Sequence, residues 1–353
     1  MTATDYQTVI GSSMADRRDL FATTSQRLGT TPENVEKDFW VCWVLDALYH
    51  RLPAGSPRLL FKGGTSLSKA HNLIQRFSED VDVTVFREDL DGAVADMERM
   101  TKKAQHRELD AIREKCRAYI ADRLKPELAA IVAEATGDID RVVLADDDAE
   151  GQTLIVRYPA AFQQPANASY IQPVVRIESG AKSALDPHSS VTITPYVARE
   201  LPQLDLSVPD ITTIDASRTF WDKITIAHGL TNWFASEGAL RNEGARVSRH
   251  YYDLHCLHAA GVSETALANR ALGADCVRHA QLFFDRPKFN LAKARGGGFD
   301  VMPTEGMRPA LQRDYVAMSS MIFGEPPAFD DVLNSVREID AQLRRGESPY
   351  AEP

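Results

Sequence analysis

Apolar residues between Thr31 and His50 recur at helical spacing. Val35, Phe39, Cys42 and Trp43 form a stripe, and from Phe39 onward nearly every residue is apolar, so this helix should be buried on most sides. Thr31 suits an N-cap and Pro32 the first helical position. Arg58 to Lys62 then reads as a short apolar strand ended by Gly63-Gly64. Ser66 to Gln75 reads as a helix, with Leu67, Ala70, Leu73 and Ile74 on one face. Val81 to Phe86 alternates, which predicts a strand with Val81, Val83 and Val85 on one side and Asp80, Asp82 and Thr84 on the other.

Glu98 to about Ala135 forms a long charged helical region, striped by Leu109, Ile112, Cys116, Tyr119 and Ile120. Pro126 should bend or split it. An acidic, turn-rich stretch from Gly137 to Asp148 precedes three strand-like runs, Thr153–Tyr158, Pro173–Glu178 and Val191–Val197. From about Asp215 the pattern is mainly helical, with Gly296-Gly297-Gly298 as a loop. The expected organisation is an α/β domain over 1–212, with a helical insertion near 98–148, and a mainly helical domain over 213–353. The boundary is expected between Pro202 and Pro209. No internal repeat is visible.

The chemistry lies in the order strand, Gly63-Gly64-Thr65-Ser66, helix, then Asp80-x-Asp82 on a strand. A glycine pair lets backbone approach a phosphate. A helix start offers free N–H groups and a positive dipole end to an anion, and the Thr65 and Ser66 hydroxyls could add donors. Aspartates at i and i+2 of a strand share a face, roughly 6–7 Å apart along the chain, a spacing that suits two carboxylates on Mg²⁺. The loop is not a Walker loop, because no G-x-x-x-x-G-K-[ST] is present. Glu178, at the end of Val174-Val175-Arg176-Ile177-Glu178, is a candidate third carboxylate; a salt bridge or an exposed strand end would equally place it there.

Two further positions stand out in the C-terminal half. Lys223, in Phe220-Trp221-Asp222-Lys223-Ile224, is either a partly buried phosphate contact or a snorkelling surface lysine. Asp253 lies one helical turn after Arg249, where an ordinary i,i+4 ion pair is the simple expectation. His250, His255, Cys256 and His258 match no standard zinc spacing.

The chain has 353 residues, 44% hydrophobic and 25% charged, the balance of an ordinary folded protein. A formal net charge of -10 argues against broad non-specific binding to nucleic acid, yet leaves room for a local basic groove. Three basic clusters exist: Lys102, Lys103 and Arg107; Arg241, Arg246 and Arg249; and Lys288, Lys293 and Arg295. Each reads most simply as a solvated face. The four cysteines form no C-x-x-C pair and read as free thiols. Met1 to Thr24 has no apolar core, and Phe39 to Tyr49 is too short to span a membrane, so the expectation is a cytoplasmic protein without a membrane partner.

Phe61-Lys62-Gly63-Gly64-Thr65-Ser66-Leu67-Ser68-Lys69, followed by Arg76-Phe77-Ser78-Glu79-Asp80-Val81-Asp82, resembles the signature of the AbiEii/AbiGii toxin family. These are nucleotidyltransferase-like toxins of type IV toxin–antitoxin and phage-defence systems, with the mycobacterial MenT toxins among their relatives. Glu36-Lys37-Asp38-Phe39-Trp40-Val41, Phe220-Trp221-Asp222-Lys223-Ile224 and Arg249-His250-Tyr251-Tyr252-Asp253-Leu254 resemble further family motifs. The likeness covers roughly Val35 to Leu257.

The resemblance implies an α+β fold, a polymerase-β-like nucleotidyltransferase core with a helical C-terminal half. It implies Asp80 and Asp82 as ligands of Mg²⁺ or Mn²⁺. It implies Lys62, the Gly63-Gly64-Thr65-Ser66 loop and Lys223 as nucleotide contacts, and Asp253 as a further catalytic carboxylate. An NTP would be the substrate, an RNA acceptor such as the tRNA 3′ end would receive the NMP, and a cognate antitoxin would restrain the enzyme. A protein hydroxyl or a small cationic molecule is the alternative acceptor. A catalytically silent interaction module is the alternative class, against which the intact Asp80-x-Asp82 pair counts.

Overall fold

The computed structural model describes residues 2–77, 80–90, 97–162, 172–319 and 321–345. Ser78 and Glu79 of the signature lie outside the described residues. The chain forms two compact units. One comprises Met1–Ala70 and Phe77–Ile214, the other His71–Arg76 and Asp215–Pro353.

The first unit opens with helices α1 (Thr2–Ile10), α2 (Met14–Leu28) and α3 (Pro32–Asp46). Thr31 caps α3, its side chain accepting from the Asn34 N–H, and Pro32 occupies the first turn. Strand β1 (Leu59–Lys62), helix α4 (Gly63–Lys69) and strand β2 (Asp80–Val85) follow. Helix α4 is shorter than the pattern suggests. Asn72 has φ 51°, and residues His71–Arg76 leave the first unit altogether.

Helices α5 (Lys102–Tyr119) and α6 (Lys125–Thr136) are joined by a π-turn at Ile120–Leu124. Pro126 sits in the first turn of α6, where its missing N–H does no harm. Strands β3 (Val142–Leu144), β4 (Thr153–Arg157), β5 (Val174–Glu178), β6 (His188–Ile193) and β7 (Val208–Ile214) complete the unit. The acidic stretch before Asp148 thus contains a strand, and the stretch ending at Pro209 runs into one.

The described strands make one sheet in the order β3-β4-β5-β2-β1-β7-β6. It is mixed: β1 pairs antiparallel with β2 and parallel with β7, and β2 pairs parallel with β5. The strands on either side of the glycine corner are therefore neighbours near the centre of the sheet. Val81, Val83 and Val85 are fully buried in the main core with Phe39, Trp40 and Trp43 of α3, while Asp80 and Asp82 are half-buried. The period of two in β2 thus turns one face to the core and leaves Asp80 and Asp82 part-exposed on the other, although Thr84 on that same face is fully buried.

Helix α3 contacts β2, β5 and β7, and every residue from Asn34 to Asp46 is buried. Its charged groups need partners there, because an unpaired buried charge is expensive. Asp46 accepts from Arg51 Nε at 2.7 Å and lies 3.1 Å from His50 Nδ1. Asp38 Oδ1 is 2.5 Å from Lys69 Nζ, and its Oδ2 accepts from the Tyr196 N–H at 2.8 Å. Glu36 Oε1 accepts from the Ala161 N–H at 2.6 Å.

The second unit is helical: α7 (Ala216–Glu237), α8 (Ser248–Ala259), α9 (Val262–Ala268), α10 (Arg270–Phe283), α11 (Leu291–Arg295), α12 (Arg308–Ser319) and α13 (Phe329–Arg345). The segment His71–Arg76 joins it through a β-bridge between Arg76 and Ile322, and the Phe323 N–H donates to the Gln75 carbonyl at 2.8 Å. Among the described residues no helix is long and apolar enough to cross a membrane.

Burial raises the Glu36 carboxyl to about 7, against the N–H bonds it accepts. The folded state therefore favours its protonated form, and the associated stability is lost as pH rises from the ordinary carboxylate range towards 7. We expect Glu36→Gln to flatten the fall in urea-unfolding stability between pH 5 and about 8 relative to the wild-type protein, by about 1–3 kcal/mol. Parallel pH profiles of the two proteins would show that Glu36 titrates normally.

Candidate active site

Strand β1 ends in extended backbone at Lys62, and Gly63 then turns with φ 78° into α4. A side chain at Gly63 would have nowhere to go. A Cβ there would lie 2.0 Å from Asp82 Oδ2 and 2.7 Å from Asp82 Cγ. The β1–β2 register places Lys62 opposite Asp82 and Phe61 opposite Val83, so the corner and the carboxylate meet at the same level of the sheet. Gly63 is thus required twice, by its backbone angle and by the carboxylate seated against it.

Lys62 Nζ lies 3.8 Å from Asp82 Oδ1, both side chains partly exposed. The hydroxyls of Thr65 and Ser66, expected to face a phosphate, are buried and donate to main-chain carbonyls. Thr65 Oγ1 donates to the Asp80 carbonyl, and Ser66 Oγ to the Gly63 carbonyl at 2.9 Å. Thr65 therefore ties α4 to the first residue of β2. What the first turn of α4 can offer an anion is main-chain N–H. Lys69, the last residue of the same helix, forms the buried pair with Asp38 and sits 3.6 Å from the centre of the Tyr196 ring.

Across the other edge of β2, Asp80 is in register with Arg176 and Asp82 with Glu178. Glu178 does lie beside the aspartates, but it is exposed and its Oε1 is 3.4 Å from Arg176 Nε. Among the described residues no group of three or more His, Cys, Asp or Glu side chains is arranged to hold a metal ion, and the Glu178 carboxylate is turned to Arg176. Arg176, which sequence reasoning passed over, also donates to both carboxylate oxygens of Asp147, at 2.9 and 3.2 Å. Burial opposes its charge. Asp147, then Glu178 and Asp80, outweigh that and hold its pKa above the usual value.

Within the second unit, Lys223 on α7 and Asp253 on α8 are joined. Lys223 Nζ is 2.7 Å from Asp253 Oδ2. Arg76 completes the group, with Nε donating to Asp253 Oδ1 at 2.8 Å and Nη2 to Oδ2 at 3.0 Å. All three are buried, Asp253 completely. Lys223 is therefore not a snorkelling surface residue, and the partners of Asp253 are Arg76 and Lys223 rather than Arg249. Burial would raise the Asp253 carboxyl, but the charges of Arg76 and Lys223 hold it well below the ordinary carboxylate range. His255 Nδ1 lies 2.8 Å from Ser335 Oγ, and His258 lies 2.7 Å from Ser263 Oγ and 2.9 Å from Glu338 Oε2.

The chain belongs to the AbiEii family, the nucleotidyl transferase toxins of type IV toxin–antitoxin systems, whose family model matches residues 46–335. It is a nucleotidyltransferase of that toxin class. Among solved structures it is similar to MenT4, a nucleotidyltransferase toxin from Mycobacterium tuberculosis H37Rv, with 16% identity, a TM-score of 0.53, and coverage of 93% of this chain and 89% of that one. At that identity the likeness concerns the fold. No curated protein matches the chain.

Two outcomes follow from this geometry. Gly63→Ala must displace the Asp82 carboxylate, so activity should fall by about two orders of magnitude while stability drops by only about 1–2 kcal/mol. Normal turnover in the variant would show that the carboxylate can move without consequence. Asp253→Asn should lower unfolding stability at neutral pH by about 3–5 kcal/mol, because it strands buried cations. The depressed Asp253 pKa places its contribution above the unfolded carboxylate value, so the gap to wild type should narrow as pH falls below about 4. A gap that is absent at pH 7 would refute the role of Asp253 as their counter-ion.

Proposed function

We propose that this enzyme moves NMP from an NTP to the 3′ end of an RNA, with tRNA as the acceptor, and so blocks translation until a cognate antitoxin neutralises it. The observation that carries the chemistry is the pair Asp80 and Asp82 on the open face of β2, with Asp82 seated against Gly63 and 3.8 Å from Lys62. Two half-buried carboxylates on one strand face are hard oxygen donors, and with substrate phosphates they suit Mg²⁺ or Mn²⁺. Such an ion, when bound, neutralises charge on the triphosphate as the acceptor hydroxyl displaces pyrophosphate. Lys62 and the main-chain N–H groups of Gly63-Gly64-Thr65-Ser66 are assigned to the phosphates.

An RNA acceptor is favoured over a small cationic one by a feature of the second unit. Arg241 and Lys288 each lie 5.3 Å from the Trp233 ring centre, and Arg241 lies 5.5 Å from that of Phe289. Arg241 and Lys288, one residue from each of two basic clusters, thus meet over aromatic rings, with Lys288 also paired to Glu237; cations beside aromatic rings are the combination that serves stacked bases and phosphates, despite a chain charge of -10.

The test is to incubate the protein and Mg²⁺ with each labelled NTP and total cellular RNA. One NTP should label the tRNA fraction, and Asp80→Ala or Asp82→Ala should reduce labelling by about a hundredfold or more with the fold retained by circular dichroism. Label appearing on protein alone would replace the RNA acceptor. Full transfer by either variant would remove the metal-site assignment.

A further inference from the structure

Helix α8 begins with its anion requirement already met. Asp314 accepts from the Arg246 N–H and the Ser248 N–H, both at 2.7 Å, and from Ser248 Oγ at 2.6 Å. Arg249 comes next, in the first turn. A cation there opposes the helix dipole, so its presence is not explained by the helix. Its position one turn before Asp253 puts both on one face of α8, yet both Asp253 oxygens are taken by Arg76 and Lys223. Among the described residues half-buried Arg249 has no hydrogen-bond or ion-pair partner.

The cluster is therefore short of negative charge. Among the described residues, Arg76, Lys223 and Arg249 carry three positive charges against the single carboxylate of Asp253. The electrostatics register the shortage. Burial lowers the Lys223 pKa, Asp253 opposes that, and Arg76 and Arg249 push it further down. The neighbouring His250 is likewise lowered, first by burial and then by Lys223 and Arg249, and its buried Nδ1 has no partner. Crowded, part-buried cations cost stability unless an anion joins them. A flat guanidinium fork beside a compact ammonium is a pair suited to a phosphate group.

We propose that Arg249 and Lys223 together form a phosphate site in the second unit, in which Arg249 is a direct ligand contact and Arg76–Asp253 is a positioning pair that holds Lys223. Asp253 then acts by orienting the ammonium rather than by taking a proton. The site itself stands on this geometry; only the identity of its anion as an NTP phosphate rests on the function proposed above.

The probe is inorganic tripolyphosphate, titrated calorimetrically into the full chain without divalent cation. Arg249→Gln should weaken its binding by about ten- to hundredfold, and Arg249→Lys should recover part of the loss. The melting temperature of Arg249→Gln without ligand should match or exceed that of the wild type, because a repelled charge has been removed. Absence of tripolyphosphate binding by the wild type, equal affinity in Arg249→Gln, or a lower melting temperature in that variant would each overturn the site. In the transfer assay Arg249→Gln should raise the KM for NTP. An unchanged KM would overturn the contact while leaving the nucleotidyltransferase reading intact. Loss of tripolyphosphate binding with no transfer by the wild type would support the site and remove that reading instead.

Discussion

The glycine corner stands on one buried ion pair. Lys69 closes α4, and its ammonium meets Asp38 in the middle of a helix that has no exposed residue between Asn34 and Asp46. Ions in such a place persist only when matched, so the end of α4 is fixed to α3 by electrostatics rather than by shape. Thr65 fixes the start of the same helix to the Asp80 carbonyl. With both ends held, Gly63 has no slack, and Asp82 can occupy the volume that a side chain would fill. The carboxylates on β2 are thus placed by one contact to the Asp80 main chain and one at the opposite end of α4.

Much of the corner that carries Asp80 and Asp82 was readable in the chain. The alternation Val81-Asp82-Val83 told which aspartates share a face, and the capped apolar run after Thr31 told which helix lies deepest. Other elements were hidden for physical reasons. Strand β7 begins with Val208-Pro209-Asp210, where proline and a residue at φ 53° mimic a linker, although the strand pairs with both β1 and β6. Strand β3 is three residues long within an acidic turn-rich stretch. Thr65 and Ser66 looked like ligand donors because a hydroxyl in a sequence does not reveal that a carbonyl will claim it.

The partner of Asp253 was beyond local reasoning altogether. Spacing on α8 offered Arg249, whereas the fold supplied Arg76, 177 residues away. Once Arg76 takes that place, the meaning of Arg249 reverses, from the satisfied half of a surface pair to a charge without a hydrogen-bond or ion-pair partner among the described residues. Net charge says little about such a spot. A chain at -10 can concentrate cations where they repel each other and wait for a ligand.

The path of the chain has a consequence for how this protein can be inherited. Residues 71–76 sit in the second unit, while the residues immediately before and after them belong to the first. The polypeptide therefore passes from one unit to the other at 70/71, 76/77 and 214/215. A gene cut at the third of these crossings would encode Arg76 without Asp253, and a second unit without the segment that supplies Arg76. The units are compact, yet they are not exchangeable modules. Exchanging residues 215–353 alone would leave behind the six-residue segment that supplies the partner of Asp253.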